Sequence, residues 1–367
     1  MEQVPEIGSL IVKLASRCNL DCDYCYIYHG HDQSWRDMPF RMNDSTQADL
    51  VDAIEYLYRH QNHPPLVAFH GGEPLLIGVT RFLSLVERIL DRVPDARLTI
   101  QTNGTIFSPQ LEEALRQFSQ NLTFSISVDG FVTENDRHRL DLRGRSRYAQ
   151  IEKTIVSARQ AEVLDSILMV LDIKNAPEET FSFMKWAGAK SYNLILRDGD
   201  HEALPEGKTS VQSTEVGQWV LRFAGLYFQH KQAFRVQLLD DILGALLARQ
   251  FHSEMQAHRR SKIDLTIETD GEIKLVDTLR VNAAGKDWAG GFKVSAAGLE
   301  DSLHSLEVGA HIAEEARYAS ECLSCTYFDL CGGGYLQHRW GGGSYKNPSV
   351  YCEDYKLLFR AVEGAAA

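Results

Sequence analysis

Seven cysteines carry the chemistry that this sequence can do, and they fall into two tight groups. Cys18, Cys22 and Cys25 lie near the start; Cys322, Cys325, Cys331 and Cys352 lie near the end. A disulfide framework would spread its thiols and use an even number, whereas two tight groups point to metal or redox chemistry. The first group, Cys18-Asn-Leu-Asp-Cys22-Asp-Tyr-Cys25, has C-x3-C-x2-C spacing. Structural zinc takes four closed ligands, so a zinc reading needs a distant fourth, such as His29. Three thiolates on a cubane of four irons leave one iron without a protein ligand. That iron can take a small molecule bearing an amine and a carboxylate. The second group, Cys322-x2-Cys325-x5-Cys331 and then Cys352, supplies four thiolates. That number closes a cubane or holds one zinc ion.

Elements must hold these groups in place. Gly8 to Ala15 reads as a first strand running straight into the first cysteine group. Further apolar runs cover 66–69, 98–101, 122–127, 166–171 and 192–196. Helical patterns cover 45–59, 80–92, 109–117, 149–160 and 178–187. Strands alternating with helices predict an α/β fold with a parallel sheet or barrel. Six strands are too few for a closed eightfold barrel, so a partial one is expected. After residue 200 the pattern changes. Residues 215–231 and 238–252 read as helices, and 263–268, Asp270-Gly271 and 272–276 as a β-hairpin. The expected organisation is 1–200 as the strand–helix domain, 201–261 as a helical bridge and 262–367 as a cysteine-rich domain.

Composition bounds the partners. Apolar residues make up 44% of the chain, and the formal net charge is −12, which argues against a nucleic-acid partner. The start has no apolar signal region, and the longest apolar run, around 242–248, is too short to span a bilayer. A cytoplasmic protein that does not use a membrane is expected.

The spacing C-x3-C-x-aromatic-C, with Tyr24 as the aromatic, follows a first strand and resembles the signature of the radical S-adenosylmethionine (radical SAM) superfamily. The resemblance implies a partial (β/α)6 radical SAM barrel. It also implies that Cys18, Cys22 and Cys25 hold a 4Fe-4S cluster whose open iron binds the methionine end of SAM. Reductive cleavage then releases a 5′-deoxyadenosyl radical, which abstracts a hydrogen atom from an unactivated carbon. Gly71, Gly72 and Glu73, within His70-Gly-Gly-Glu-Pro, are similar to the family's SAM-amine motif. Asn103, after the third strand, joins this expected SAM-binding set. Ser127 and Asp129, after the fourth, resemble contacts to the ribose and carboxylate. Arg139, in Asp136-Arg-His-Arg, is expected to pair with the SAM carboxylate or with Asp136. The second cysteine group resembles the auxiliary-cluster motif of SPASM domains, which implies one auxiliary 4Fe-4S cluster on Cys322, Cys325, Cys331 and Cys352. Tyr335 stands where the full pattern has another cysteine, and the hairpin ending in Val276-Asp277 lacks one too. The first of the two SPASM clusters is therefore expected to be absent.

Three segments narrow the resemblance to the FxsB-like, cyclophane-forming peptide maturases: Lys13 to Tyr26 followed by Ser34-Trp35, the hairpin end Val276-Asp277-Thr-Leu, and Cys331 to Cys352. Members join an aromatic ring carbon to the β-carbon of a residue two positions later in a ribosomal precursor peptide. The resemblance implies a peptide partner with a leader, and an electron donor such as flavodoxin or ferredoxin. No leader-gripping domain is expected before the first strand, so the leader is expected to bind the enzyme directly, by adding a strand to a sheet edge. Rearomatising the ring requires loss of a proton and an electron, hence a general base. Asp277 is the first candidate, with Asp198, His201 and His338 behind it. Thioether formation, epimerisation and formylglycine formation share the first steps. A zinc-binding scaffold is the reading from another class.

Overall fold

The alternating pattern resolves into strands and helices in the computed structural model, which describes residues 5–61, 63–230, 234–250 and 262–366. Six strands and the helices that follow them come first: β1 (Glu6–Ala15) and α1 (Asp44–His60), β2 (Leu66–Gly71) and α2 (Val79–Arg92), β3 (Arg97–Thr102) and α3 (Pro109–Gln117), β4 (Leu122–Ser127) with α4 (Val132–Asn135) and α5 (Tyr148–Gln160), β5 (Ser166–Val170) and α6 (Pro177–Ala187), and β6 (Ser191–Ile195) and α7 (Glu215–Gln229). Then come β7 (Arg235–Val236), α8 (Gln237–Gln250), β8 (Lys262–Ile267), β9 (Glu272–Leu275), β10 (Trp288–Lys293), α9 (Ala296–Leu303), α10 (Leu306–Glu315), α11 (Ser320–Leu323), α12 (Phe328–Cys331) and α13 (Cys352–Ala366). Local chemistry sets the ends. Ser108 caps α3 by accepting from the Leu111 N–H, with Pro109 at the first helical position. Gly271, at φ 84°, makes the tight turn between β8 and β9. Residues 231, 251 and 252 of the two expected helices lie outside the described residues.

The chain divides into two compact units. The first holds Met1–Val128, Asp136–Ser166 and Ser261–His311. Its strands lie in the order β10-β9-β8-β1-β2-β3-β4. β1 to β4 pair in parallel and β8 lies parallel to β1. β9 and β10 turn back antiparallel. Leu10, Val12 and Leu14 of β1, Phe69 of β2, Ile100 of β3 and Phe124 of β4 are fully buried. Strands covered on both faces read as continuous apolar runs, which is why they were legible. The linear division at 200 and 262 meets a different division in space. Residues 261–311 cluster with the first unit because β8 pairs along the free side of β1.

The second unit holds Asp129–Asn135, Ile167–Arg260 and Ile312–Ala367. Its strands lie in the order β5-β6-β7. α7 packs against α6 and α13, around Phe181, Tyr192, Phe223 and Val236. Among the described residues, no helix is long and apolar enough to cross a membrane.

Each unit buries charge. In the first, Lys13 Nζ lies 3.1 Å from Glu268 Oε1 and 3.2 Å from Asp277 Oδ2. Arg280 bonds Glu268 and, at 2.5 Å, Asp287 Oδ2. Lys274 Nζ stands 3.9 Å from Asp287. In the second, Lys208 Nζ lies 2.5 Å from Asp354 Oδ2, with both side chains at most 3% exposed. Asp354 also accepts from the Gly217 N–H at 2.7 Å, which ties the first turn of α13 to α7. Removing one partner strands a buried charge. Arg280→Met and Lys208→Met are each expected to lower the unfolding free energy by about 3–5 kcal/mol. Denaturant melts of the two variants check this, and midpoints equal to wild type would refute it.

Candidate functional site

β1 ends at Ala15, and the chain leaves it as the loop that carries Cys18, Cys22 and Cys25. The loop is fastened on three sides. Gly72 N–H donates to Ala15 O at 2.9 Å and Glu73 N–H to Arg17 O at 3.0 Å. A Cβ on Gly71 would meet the Ala15 carbonyl, and one on Gly72 the Arg17 carbonyl and the Tyr28 hydroxyl. These glycines therefore let the β2 turn close onto the cysteine loop itself. On a second side, segment 138–141 straps the loop. Asp21 and Asp23 N–H donate to Leu140 O and His138 O, at 2.8 and 3.2 Å. His138 Nδ1 lies 2.9 Å from Asp23 Oδ2, and Arg139 Nη1 donates to the Tyr24 hydroxyl at 2.8 Å. On the third side, Arg17 donates to Trp35 O at 2.5 Å and Arg36 O at 2.9 Å. Its guanidinium lies 4.7 Å from the Trp35 ring centre. This gives Ser34-Trp35 a place beside the cysteines.

The sulfurs are met by donors. Cys18 Sγ accepts from the Leu20 N–H at 3.4 Å and from Asn103 Nδ2 at 3.5 Å. Asn103 also donates to Asn19 Oδ1 at 2.8 Å. The structure thus assigns Asn103 to the first cysteine, a role its place after β3 did not reveal. Burial pushes the Cys18 thiol up to about 12, with the charge of Glu73 adding to it. Burial likewise raises Cys25. Iron binding would have to displace those protons. Glu73 is fully buried. Its carboxylate accepts from Leu75 N–H (3.0 Å), Thr102 Oγ1 (2.8 Å) and Asn103 N–H (2.8 Å). Burial raises its pKa above the ordinary 4.5 even so. Ser127 is half-buried at the end of β4. Asp129 belongs to the second unit, where its carboxylate accepts from the Val170 N–H at 3.0 Å.

Cys322, Cys325, Cys331 and Cys352 line one cavity of about 320 Å³ in the second unit, with Tyr327, Gly333, Tyr355 and Phe359 in its wall. Tyr327 N–H donates to Cys325 Sγ and Gly333 N–H to Cys331 Sγ, both at 3.4 Å. Gly332, Gly333 and Gly334 all have positive φ, at 60°, 88° and 74°, which turns the backbone around Cys331. Tyr335 is 61% exposed. Among the described residues, no three His, Cys, Asp or Glu side chains converge as ligands of a single metal ion. Four thiols facing one space, two of them with N–H donors on sulfur, are the residues that would hold an auxiliary 4Fe-4S cluster.

The base candidates separate. Asp277 opens the turn after β9, is 2% exposed, and pairs with Lys13. Burial would raise its pKa, but the charge of Lys13 first, with that of Arg280 and a hydrogen bond from Tyr26, outweighs it and holds the carboxyl below the ordinary 3.8. The other candidates lie in the second unit. His201 Nε2 donates to Pro348 O at 2.7 Å, a structural tie. His338 is buried beside Tyr351, with Asp198 Oδ1 at 3.8 Å from Nε2. Lys13, Glu268 and Arg280 were not read as site residues. The available signal was a lone lysine in the apolar run Gly8 to Ala15.

The model of the Radical SAM superfamily matches residues 12–184. A cysteine-type anaerobic sulfatase-maturating enzyme of Clostridium novyi is 21% identical, over 96% of this chain and 94% of its own. A serine-type enzyme of Klebsiella aerogenes is 23% identical, over 95% and 84%. The structure of native anSMEcpe with bound AdoMet and Cp18Cys peptide superposes with TM-score 0.79 at 20% identity, covering 97% of both chains. That of Streptococcus suis SuiB bound to precursor peptide SuiA gives 0.65 at 15%, covering 94% of this chain and 76% of the other. These likenesses establish the α/β fold with its mostly parallel sheet. The loop leaving β1 thus lies inside a domain of the family its spacing resembled, and the chain is a radical SAM enzyme.

Proposed function

We propose that this enzyme matures a ribosomally made peptide by forming a cyclophane, a carbon–carbon bond between an aromatic ring and the β-carbon of a residue two positions later. The observation that carries the reading is Asp277, a buried carboxylate kept ionised by Lys13 of the strand that delivers the cysteine loop. Such a group can take the ring proton. Support for a peptide substrate comes from the sulfatase-maturating relatives and the peptide-bound structures. The second group of four cysteines, read as the site of an auxiliary cluster, supports an oxidative outcome, and the motifs around Ser34-Trp35, Asp277 and Cys331 support the cyclophane.

In this reading Cys18, Cys22 and Cys25 hold the SAM-binding cluster, and Cys322, Cys325, Cys331 and Cys352 an auxiliary one. When bound, SAM and the clusters supply a 5′-deoxyadenosyl radical and an acceptor for the electron lost on rearomatisation. Glu73 offers an anionic oxygen to the SAM ammonium. Arg139, held by Tyr24, offers a cation to the carboxylate, and Ser127 a hydroxyl to the ribose. Asn103 orients Cys18. Asp277 accepts the ring proton and returns to the carboxylate that Lys13 favours. A flavodoxin or ferredoxin supplies the initiating electron. The leader pairs with the outer edge of β10, the terminal strand of the first sheet.

Formylglycine formation is the second reading, favoured by relatives that align along nearly the whole chain. It leaves an aldehyde; a cyclophane leaves none and removes two hydrogens. Co-expression with candidate precursor peptides, followed by tandem mass spectrometry and hydrazide trapping, is expected to show the two-hydrogen loss without trapped aldehyde. A trapped aldehyde would replace the first reading with the second. Asp277→Asn is expected to slow cross-linking by about 100-fold or more, and an unchanged rate would remove Asp277 as the base. In Cys331→Ala, iron and sulfide per chain are expected to fall by about half, since each site then holds an equal share. Colourless wild-type protein containing only zinc would refute both readings.

A further inference from the structure

His70 is the residue the mechanism has left unused. It lies in β2, one position before Gly71, and register sets it beside Lys13 of β1. Neighbouring residues on paired strands project to the same face, so His70 shares its surroundings with the Lys13–Asp277 pair. Among the described residues, two buried polar atoms of this group have no hydrogen-bond partner: His70 Nδ1 and Asp277 Oδ2. Lys13 Nζ stands 3.2 Å from that oxygen, outside hydrogen-bonding alignment. Unpartnered buried polar atoms in a native fold call for an explanation.

The groups facing Asp277 can be ordered by what they can accept. Lys13 from β1 and Arg280 from the turn after β9 are cations with no room for a proton. Glu268, beyond β8, is bonded to both. Tyr26 of the cysteine loop hydrogen-bonds the Asp277 carboxylate, and a phenol is a poor acceptor. His70 differs. Burial holds its imidazole below the ordinary 6.5, partly offset by the charge of Asp277, so it is neutral near pH 7 and has a lone pair to offer.

Resting on the reading of Asp277 as the base, we propose that His70 receives at Nδ1 the proton that Asp277 collects from the substrate, directly or across one water. The Asp277 O–H bond breaks and the Nδ1–H bond forms, which leaves a carboxylate and an imidazolium. No electron moves. The carboxylate regains its pairing with Lys13, and the imidazolium releases a proton to solvent from its other ring nitrogen, His70 being half-buried. His70 thus resets the base between turnovers, and acts on the substrate only through Asp277.

The test is the pH profile of cross-linking in wild type, His70→Gln and Asp277→Asn. The wild-type rate is expected to fall on the acid side as His70 becomes protonated and stops accepting. His70→Gln is expected to be at least about tenfold slower and to lack that acid-side fall. Retention of the wild-type acid limb in His70→Gln would overturn the inference. An unchanged rate in Asp277→Asn would instead overturn the base reading beneath it. If the glutamine variant fails to fold, His70→Ala with added imidazoles keeps the question open to refutation. Recovery that follows the basicity of the added imidazole supports the relay. No recovery in a variant that melts like wild type excludes it.

Discussion

A lysine cannot sit in the middle of an apolar sheet without a counter-charge, and Lys13 sits there. Its solution organises the first unit. Glu268 and Asp277 arrive from the β8–β9 hairpin, and Arg280 and Asp287 follow to balance them. Desolvation makes each of these charges costly alone and tolerable together. The same pairing that makes Lys13 tolerable joins β1 to the turn after β8 and fixes the Asp277 carboxylate. Position and ionisation of the proposed base come from one set of contacts.

The two cysteine sites are built by different means. The first hangs on a loop, and its rigidity is borrowed: the Gly-Gly turn, the 138–141 strap and the Arg17–Trp35 clamp each hold one side. The second is built from helix ends, with Cys331 closing α12 and Cys352 opening α13. The buried Lys208–Asp354 pair ties the first turn of α13 down. In both, N–H groups point at sulfur.

The strand–helix alternation was legible because buried parallel strands write themselves as apolar runs. β4 and α3 were read at their observed ends, 122–127 and 109–117. The cysteines were legible because their residue type and spacing allow little else. What escaped was the long-range part. Nothing local says that residue 262 pairs beside residue 6, so the hairpin was placed with the later cysteines. The motif around Gly71 and Gly72 was legible, but only the fold shows how closely those glycines approach the Ala15 and Arg17 backbone. Asn103 was read as a cofactor contact, and its bond to Cys18 depends on how two loops meet.

The pairing of β1 with β8 has a consequence for how the molecule is made. A ribosome delivers β1 first, yet the strand on its far side emerges more than 250 residues later. Until then Lys13 lacks Glu268 and Asp277, and β1 presents a bare edge. Cys352, the last of the four cysteines that line the second unit's cavity, is synthesised later still, after its three companions. That cavity can therefore be walled in only when translation is nearly complete.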